Sequence, residues 1–299
     1  MAFNDVLDCV IVGGGPGGLT AALYLGRFRR SVIVIDADES RAALIPVSHN
    51  FPAFPNGVTG PHLLSRLRQQ LAPYGINVLT DRAISLKKTE DLFDVEMAGH
   101  TVSTRRVIIA TGIADHGMSG ENWRIGVEAG GLRLCPVCDA YEVIDKDVAV
   151  IARTEGAAAH ALFLRDYTDR LTLYHVGDEA NFSRDDTECL RRAGVALLHS
   201  NSAAVEVDIG GRAGVRHAGT VRFFDAVYPM FGCHPRSDLL RSLGAACTAE
   251  GKLITDIYQE TSVPGVFAIG DVVSGLNQIS VAMGQAAIAA THLHQSLRP

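Results

Sequence analysis

The sequence predicts an α/β fold, in which buried parallel strands alternate with helices. Hydrophobic residues make up 47% of the 299-residue chain and 30 residues are glycine, a composition typical of this fold class. Short apolar segments that end at a glycine turn recur along the chain, first at residues 7–12 and later at residues 107–112. A chain of this length holds two domains or one large domain with an ample core.

The charge balance excludes some classes of partner. The chain has 27 Lys and Arg residues against 33 Asp and Glu residues, a net charge of −6, so it offers no general basic face for nucleic acid. No stretch approaches the roughly 20 apolar residues that a membrane helix needs, and residues 1–8 lack the positively charged segment of a signal peptide. We therefore expect a cytoplasmic protein that binds neither nucleic acid nor a membrane.

The first predicted strand leads into a glycine loop with the spacing G-x-G-x-x-G, formed by Gly13, Gly15 and Gly18. The first glycine permits a tight turn, the second lets a pyrophosphate approach the backbone, and the third lets the following helix pack on the strand. A second apolar strand, residues 31–36, ends in Asp36, which is placed to bond a ribose hydroxyl. Strand, helix, strand and acid in this order indicate a dinucleotide site.

Further elements follow in order. Residues 48–55 are rich in proline and aromatic residues and form a loop, and residues 61–74 form a helix with leucines on one face. Strands are expected at residues 147–151 and within residues 265–270, and an alanine-rich helix at about residues 278–294. The strand at 147–151 begins a second run of strands and helices.

Cys135 and Cys138 are the candidate redox centre, and Asp139 follows them directly. Two thiols at this spacing can form and open a disulfide without moving the backbone. In a cytoplasmic protein such a pair is more often redox-active than structural. A flavin or nicotinamide beside the pair would supply or remove two electrons, which indicates thiol–disulfide exchange.

A zinc site is the alternative for this cysteine pair, with Cys233 and His234 as further ligands. A structural zinc usually needs a second close pair of ligands, which the scattered remaining cysteines do not form. We therefore expect no metal.

Taken together, the motifs resemble those of the low-molecular-weight thioredoxin reductase family, within the FAD-dependent pyridine nucleotide-disulfide oxidoreductases. The matching segments occur in family order over nearly the whole chain. They are the G-x-G-x-x-G loop, Asn50-Phe51-Pro52, Ala110-Thr111-Gly112, Cys135-x-x-Cys138-Asp139 and Gly270-Asp271.

The resemblance implies two Rossmann-like dinucleotide-binding domains, the second inserted into the first. Residues 1–114 and 245–299 would form a discontinuous FAD-binding domain. Residues 115–244 would form an NAD(P)-like domain that carries the redox cysteines. Family members are typically homodimers through their FAD domains, so we expect a homodimer.

The resemblance also implies roles for the cofactor residues. Gly13, Gly15 and Gly18 would contact the pyrophosphate of one FAD, and Asp36 its adenosine ribose. The remaining matched positions would lie near the flavin or its ribityl chain: Asn50, Thr111, Gly112, Asp271 and Gln278. Two plainer interpretations stay open, since Asn50 could only hold a turn and Asp271 could be a helix N-cap.

In the family pattern Cys138 lies next to the flavin and Cys135 meets the substrate. Asp139 resembles the group that gives and takes the proton as each thiol changes state, a contribution of about 10²–10⁴-fold in rate. The alternative for Asp139 is an exposed acid after a turn.

The chain departs from the family at its second nucleotide site. Residues 152–157 read Ala-Arg-Thr-Glu-Gly-Ala where the family has a glycine-rich phosphate loop, so side chains stand where bare backbone should approach a diphosphate. Val176 and Gly177 occupy the positions of two arginines that grip the 2′-phosphate of NADPH. We therefore expect an atypical member that does not use NADPH in the standard way. A rearranged site, in which Arg153 contacts the phosphates, is the alternative.

Several partners then remain open. Relatives of this kind take electrons from ferredoxin, hold a second FAD, or act as dithiol oxidases that pass electrons to oxygen. The substrate is expected to be a thioredoxin-like protein or a small dithiol or disulfide. The competing functions are an NADPH-dependent thioredoxin reductase with a divergent loop and a non-catalytic flavin redox sensor.

Overall fold

The computed structural model describes residues 5–117, 121–153, 156–177, 182–273 and 275–298. Contacts divide these residues into two compact units. The first unit contains the described residues up to Ala43, Thr59–Ala114 and the described residues from His234 onward; the second contains Leu44–Val58 and the described part of Asp115–Cys233. The chain thus leaves the first unit and later returns to it.

The strands of the described residues are β1 (Leu7–Val12), β2 (Val32–Asp36), β3 (Asn77–Thr80), β4 (Ser85–Thr89), β5 (Leu92–Met97), β6 (His100–Ile109), β7 (Ile113–Asp115), β8 (Val148–Ala152), β9 (Leu171–His175), β10 (Ala196–His199), β11 (Ala204–Val207), β12 (Ala213–His217), β13 (Thr220–Phe223), β14 (Ala226–Met230), β15 (Cys233–Pro235) and β16 (Val266–Ala268). The helices are α1 (Pro16–Arg27), α2 (Gly60–Leu71), α3 (Glu121–Glu128), α4 (Pro136–Asp139), α5 (Ala157–Arg165), α6 (Arg184–Arg192) and α7 (Ile279–Ser296).

The first unit is built on a sheet with the strand order β3-β2-β1-β6-β5-β4. A further strand, β16, pairs with residues 107–109 at the end of β6. β1, β2, β3, β6 and β16 run parallel, whereas β4 and β5 are antiparallel additions. Val12 is level with both Ile35 and Ile109, and Ala268 is level with Ile109. The carboxyl ends of four strands therefore meet at one edge, the usual place for a ligand in an open α/β sheet.

Helices α2 and α7 of the first unit both pack against α1. α1 follows the glycine loop and packs against α7. The buried face of α7 consists of small residues, among them Ala286, Ala289 and Ala290, which permit a close approach between the helices. α2 begins after Thr59, whose side chain accepts a hydrogen bond from the backbone N–H of His62.

The second unit contains a parallel sheet with the order β10-β9-β8-β14 and a separate antiparallel sheet of β11, β12 and β13. Ala152 is level with His175 and Met230, and His175 with His199, so these carboxyl ends also meet at one edge. β8 and β9 are buried along their whole lengths, which explains their continuous apolar sequence. The two parallel sheets confirm the predicted α/β fold class with two Rossmann-like domains.

Within the described part of the chain, no helix combines the length and the apolar character needed to cross a membrane.

Candidate functional site

The glycine loop after β1 shows why three glycines are spaced as they are. Gly13 has a φ of +113°, and a Cβ atom there would collide with the carbonyl oxygen of Ala110. A Cβ atom on Gly18 would collide with the carbonyl oxygen of Gly13. A Cβ atom on Gly15 would meet only Ser40 Oγ, at 3.3 Å. The outer two glycines are thus required by the fold, and the middle one leaves the backbone open to a ligand.

The start of α1 adds to the character of this loop as an anion site. Gly15 is its N-cap and makes no side-chain cap, and Pro16 is its first residue, so the first N–H groups have no side-chain acceptor at the cap. Thr20 Oγ1, in the first turns of the helix, is buried without a hydrogen-bond partner among the described residues. Open backbone, the positive end of a helix and an unsatisfied hydroxyl together fit a dinucleotide diphosphate.

Asp36 lies at the end of β2 with 5% of its surface exposed. Arg68 from α2 places Nη2 2.7 Å from Asp36 Oδ2, and the backbone N–H of Asp38 donates to Oδ1 at 3.2 Å. A Cβ atom on Gly14 would run into the same carboxylate, so Gly14 is required as well. Asp36 is at the predicted edge, and Arg68 is a neighbour that the sequence did not indicate.

Thr111 and Gly112 follow β6 at the same edge. Thr111 Oγ1 donates to the carbonyl of Arg236 at 2.6 Å, and the carbonyl of Gly112 accepts from the N–H of Arg236 at 3.0 Å. Gly112 has a φ of +68°, a conformation that favours glycine. These bonds hold the turn after β6 in a defined shape.

Asp271 and Gln278 lie on the segment between β16 and α7. Asp271 is in the short turn Gly270–Val272, and Gln278 immediately precedes α7. The N–H of Gly270 donates to Gln285 Oε1 at 2.7 Å, so a side chain from α7 orients this turn. Gln285 carried no sequence signal, because nothing in an alanine-rich helix marks one glutamine.

Asn50 belongs to the second unit, within Leu44–Val58. Its side chain is exposed, and its Oδ1 accepts a hydrogen bond from Ser48 Oγ at 2.9 Å. The first unit therefore brings the other predicted cofactor residues to one edge, while Asn50 is held in its own loop.

Cys135 and Cys138 form a disulfide, with their Cα atoms 5.2 Å apart. Cys135 is the N-cap of the short helix α4, and its carbonyl accepts from the N–H of Cys138 at 2.9 Å. A disulfide-bonded cysteine has no thiolate, so in this state the pair cannot bind zinc. Among the described residues, no group of three or more His, Cys, Asp and Glu side chains is arranged to hold a metal.

Asp139 is enclosed rather than exposed, since only 23% of its side chain is accessible. Tyr228 donates its hydroxyl to Asp139 Oδ1 at 2.8 Å, and Arg133 Nη1 lies 3.2 Å from Oδ2. Burial raises the pKa of Asp139, while Arg133 and the Tyr228 hydroxyl act in the opposite direction. The carboxyl group next to Cys138 is thus one whose proton affinity the protein adjusts.

The loop after β8 is the predicted second phosphate site, and Thr154 and Glu155 lie outside the described residues. The side chain of Arg153 packs on an aromatic ring, since its guanidinium lies 4.9 Å from the centre of the Phe231 ring. α5 begins after Gly156, and His160 Nδ1 lies 2.8 Å from the carbonyl of Gly156.

A cluster of three rings occupies the carboxyl ends of β9 and β10. His175 and His199 place their Nδ1 atoms 3.2 Å apart, and the ring of Phe182 lies 4.8 Å and 5.5 Å from them. Burial first, and His199 second, lower the pKa of His175. Val176 and Gly177 follow His175 directly, and neither side chain carries a charge.

Comparison with known proteins shows which family this chain resembles. The family model described as pyridine nucleotide-disulphide oxidoreductase matches residues 7–286. A thioredoxin reductase of Peptoclostridium acidaminophilum is 28% identical over 96% of both chains. Among solved structures, thioredoxin reductase of Streptococcus pyogenes has a TM-score of 0.89 at 25% identity and covers 98% of this chain and 99% of its own. The structure of HlmI has a TM-score of 0.88 at 31% identity, with 99% and 94% covered.

Proposed function

The chain belongs to the pyridine nucleotide-disulphide oxidoreductase family, and we propose that this flavin-dependent disulfide oxidoreductase exchanges electrons with its substrate through Cys135 and Cys138. The observation that carries the proposal is the disulfide beside a partly enclosed acid, in a chain whose first unit has a complete dinucleotide loop. The substrate class is a thioredoxin-like protein or a small dithiol or disulfide.

FAD is the cofactor of this family, and the edge of the first sheet fits it. When bound, FAD supplies a two-electron store that can be filled from a dithiol or emptied into a disulfide. Gly13, Gly15 and Gly18 would take the diphosphate, and Asp36 the adenosine ribose. The turns that carry Thr111, Gly112 and Asp271, together with Gln278 and Asn50, would meet the rest of the cofactor.

The cysteine pair performs the exchange in two steps. A substrate thiolate attacks Cys135 Sγ, the Cys135–Cys138 bond breaks, and Cys138 leaves as a thiolate. The second substrate thiolate then attacks the mixed disulfide and releases Cys135. The substrate dithiol has become a disulfide and the protein disulfide a dithiol, so two electrons have moved. A disulfide substrate is reduced by the same steps in reverse, and Asp139 gives or takes the proton.

We further propose that NADPH is not the usual electron partner. The cluster of His175, His199 and Phe182, followed by Val176 and Gly177, offers no guanidinium fork for a 2′-phosphate. The stacking of Arg153 on Phe231 speaks against the alternative in which Arg153 replaces that fork. Ferredoxin, oxygen or a second flavin is then the donor or acceptor. A homodimer and a cytoplasmic location are further expectations.

The test is an anaerobic titration of the purified flavoprotein with dithiothreitol. We expect the flavin to be bleached with a long-wavelength thiolate–flavin absorption band, and the band to be absent in Cys138→Ser. Cys189→Ser is the matched control, because Cys189 is a free, exposed cysteine on α6, and it should keep the band. A band that persists in Cys138→Ser would show that Cys138 is not the flavin-proximal thiol.

Whether NADPH is the electron donor is tested by mixing the same protein with NADPH and measuring the rate of flavin reduction. We expect flavin reduction at least about 100-fold slower than with dithiothreitol, because both parts of a normal phosphate site are altered. Rapid reduction at micromolar NADPH would instead support an NADPH-dependent thioredoxin reductase. Steady turnover with a dithiol or disulfide would exclude a purely sensory role.

A further inference from the structure

Three ionisable side chains surround Asp139, the acid of the redox centre, and we call Arg133, Asp139, Glu142 and Tyr228 together the Asp139 cluster. Arg133 precedes the cysteine pair and Glu142 follows it. Tyr228 comes from β14, 89 residues after Asp139. Asp139 and Tyr228 each interact with the other three through charge or hydrogen bonds. The cysteine motif alone does not require any of the three partners of Asp139.

Tyr228 is enclosed completely, with 0% of its surface exposed. A buried tyrosine hydroxyl needs a hydrogen-bond partner, and here the partner is Asp139 Oδ1 at 2.8 Å. Burial first, and the charge of Asp139 second, raise the pKa of Tyr228, so the hydroxyl keeps its proton and always acts as the donor. One oxygen of the carboxylate is therefore occupied throughout the reaction.

Arg133 is fixed by its backbone as well as by its side chain. Its N–H donates to the carbonyl of Val227 at 3.0 Å, and the N–H of Val227 donates to the carbonyl of Gly131 at 2.8 Å. The segment before the cysteines is thus anchored to β14, next to Tyr228. From there Arg133 Nη1 reaches Asp139 Oδ2 at 3.2 Å, and the side chain is only 21% exposed. Both donors to the carboxylate are held by the same strand.

Glu142 acts against these two donors. Its charge raises the proton affinity of Asp139, and its Oε2 atom is buried with no hydrogen-bond partner among the described residues. Arg133 Nε is likewise buried without a partner. Arg133 and Tyr228 therefore favour the ionised form of Asp139, whereas Glu142 and burial favour its protonated form. The balance of these effects determines the pH at which Asp139 takes up a proton.

We propose that Arg133 and Tyr228 are positioning residues of the redox centre, which orient the carboxylate of Asp139 and favour its ionised form. The inference rests on the proposed function, because it assumes that Asp139 exchanges a proton during thiol–disulfide exchange. When a dithiol is oxidised, one substrate thiolate forms an S–S bond with Cys135, and the Cys135–Cys138 bond breaks with its electron pair leaving on Cys138. The S–H bond of the second substrate thiol then breaks as its proton moves to Asp139, and the resulting thiolate displaces Cys135 from the mixed disulfide. Reduction of a disulfide returns the same proton.

The signs of the expected effects follow from the cluster. Tyr228→Phe removes one hydrogen bond to the charged carboxylate and leaves the ring in place, so the pH midpoint of Asp139 should rise by about one unit. Arg133→Gln removes a positive charge and should raise it by at least as much, while Arg133→Lys keeps the charge and should raise it less. Glu142→Gln removes a negative charge and should lower the midpoint. Opposite signs are not expected from loosened packing.

The experiment measures the rate at which dithiothreitol reduces the Cys135–Cys138 disulfide of the full-length flavoprotein. Samples taken between pH 5 and pH 9 are quenched with acid, the thiols are alkylated, and the reduced fraction is read by mass spectrometry. Each rate is divided by the thiolate fraction of dithiothreitol at that pH, which removes the titration of the reagent itself. The part of the corrected pH–rate profile that disappears in Asp139→Asn is assigned to Asp139 and is called the Asp139 limb. Tyr174→Phe is the matched control, because Tyr174 is also buried in the second unit, at 3% exposure, and lies outside the Asp139 cluster.

The outcomes separate the two proposals. Upward shifts in Tyr228→Phe and Arg133→Gln, a downward shift in Glu142→Gln and none in Tyr174→Phe support the inference. If Asp139→Asn abolishes the Asp139 limb but Tyr228→Phe keeps the wild-type pH midpoint, the inference is overturned and the proposed function stands. A wild-type profile in Asp139→Asn itself overturns the proton role of Asp139 and the inference built on it, whereas exchange through Cys135 and Cys138 is tested separately by the thiolate–flavin band. Near-ultraviolet circular dichroism verifies that each variant is folded.

Discussion

The loop after β1 and the loop after β8 follow strands of the same kind and differ in what their backbone can admit. After β1, Gly13 and Gly18 occupy places where a Cβ atom would collide with backbone, whereas a Cβ atom on Gly15 would meet only Ser40 Oγ, at 3.3 Å. After β8, Ala152 and Arg153 stand in the corresponding stretch, and the guanidinium of Arg153 is stacked on Phe231. Each strand still leads into a helix. A Rossmann-like unit therefore folds without the glycine loop, whereas access of a diphosphate to its backbone depends on that loop.

The next strands repeat the contrast. β2 ends in Asp36, which is buried and paired with Arg68 at 2.7 Å. β9 ends in His175, which lies against His199 and Phe182. The first edge therefore keeps an acid suited to a ribose, and the second has a cluster of rings. Equivalent positions in two similar sheets therefore carry side chains of different chemistry.

The largest effect should come from the same substitution made in each loop. Gly18→Ala places a methyl group against the carbonyl of Gly13, so we expect a loss of about 3 kcal/mol in the free energy of unfolding and at least a tenfold loss of bound FAD. Gly156→Ala meets nothing closer than His160 at 3.5 Å and should leave both quantities unchanged. Thermal unfolding and the ratio of flavin to protein absorbance measure the two effects. Equal behaviour of the two variants would refute the proposed difference between the loops.

A smaller effect is expected from removing one arginine from each unit. Arg68→Met leaves the buried carboxylate of Asp36 without its cation, which should cost about 2 kcal/mol of stability and weaken FAD binding. Arg153→Met removes a single contact with an aromatic ring, a loss of about 0.5 kcal/mol with no change in FAD content. Denaturant titration of both variants and of the wild type tests this order. A larger loss in Arg153→Met would mean that the second loop has an undetected structural role.

The smallest effect concerns acid stability of the second edge. Because the pKa of His175 is lowered in the folded protein, the unfolded chain binds its proton at a higher pH. The stability that neutral His175 provides is complete above its ordinary pKa of about 6.5 and falls as the pH falls below that value. When the pH is lowered from 7.5 to 5.5, the melting temperature of His175→Phe should therefore fall less than that of the wild type. His62→Gln, on α2 of the first unit, is the control and should follow the wild type.

Much of the fold could be predicted because its signals are local. The strands at β1, β2 and β8 were found as short apolar segments, and the helices α2 and α7 were found to within a few residues. The predicted helix at 61–74 ends earlier, at Leu71, and continues as the turn Ala72–Tyr74, which a leucine pattern does not distinguish from helix. The cysteine pair was equally local, since a separation of three residues allows a disulfide within one turn.

The sequence by itself determined which residues stand at the predicted sites: the glycines of the first loop, the two cysteines with Asp139, and Val176 and Gly177 in place of arginines after β9. Only the tertiary structure decided what surrounds them. Tyr228 reaches Asp139 across 89 residues, Arg68 reaches Asp36 across 32, and His199 reaches His175 across 24. The physical reason is that parallel strands and their crossover helices bring distant segments level at one edge of a sheet, and no local pattern specifies which side chains will then be neighbours.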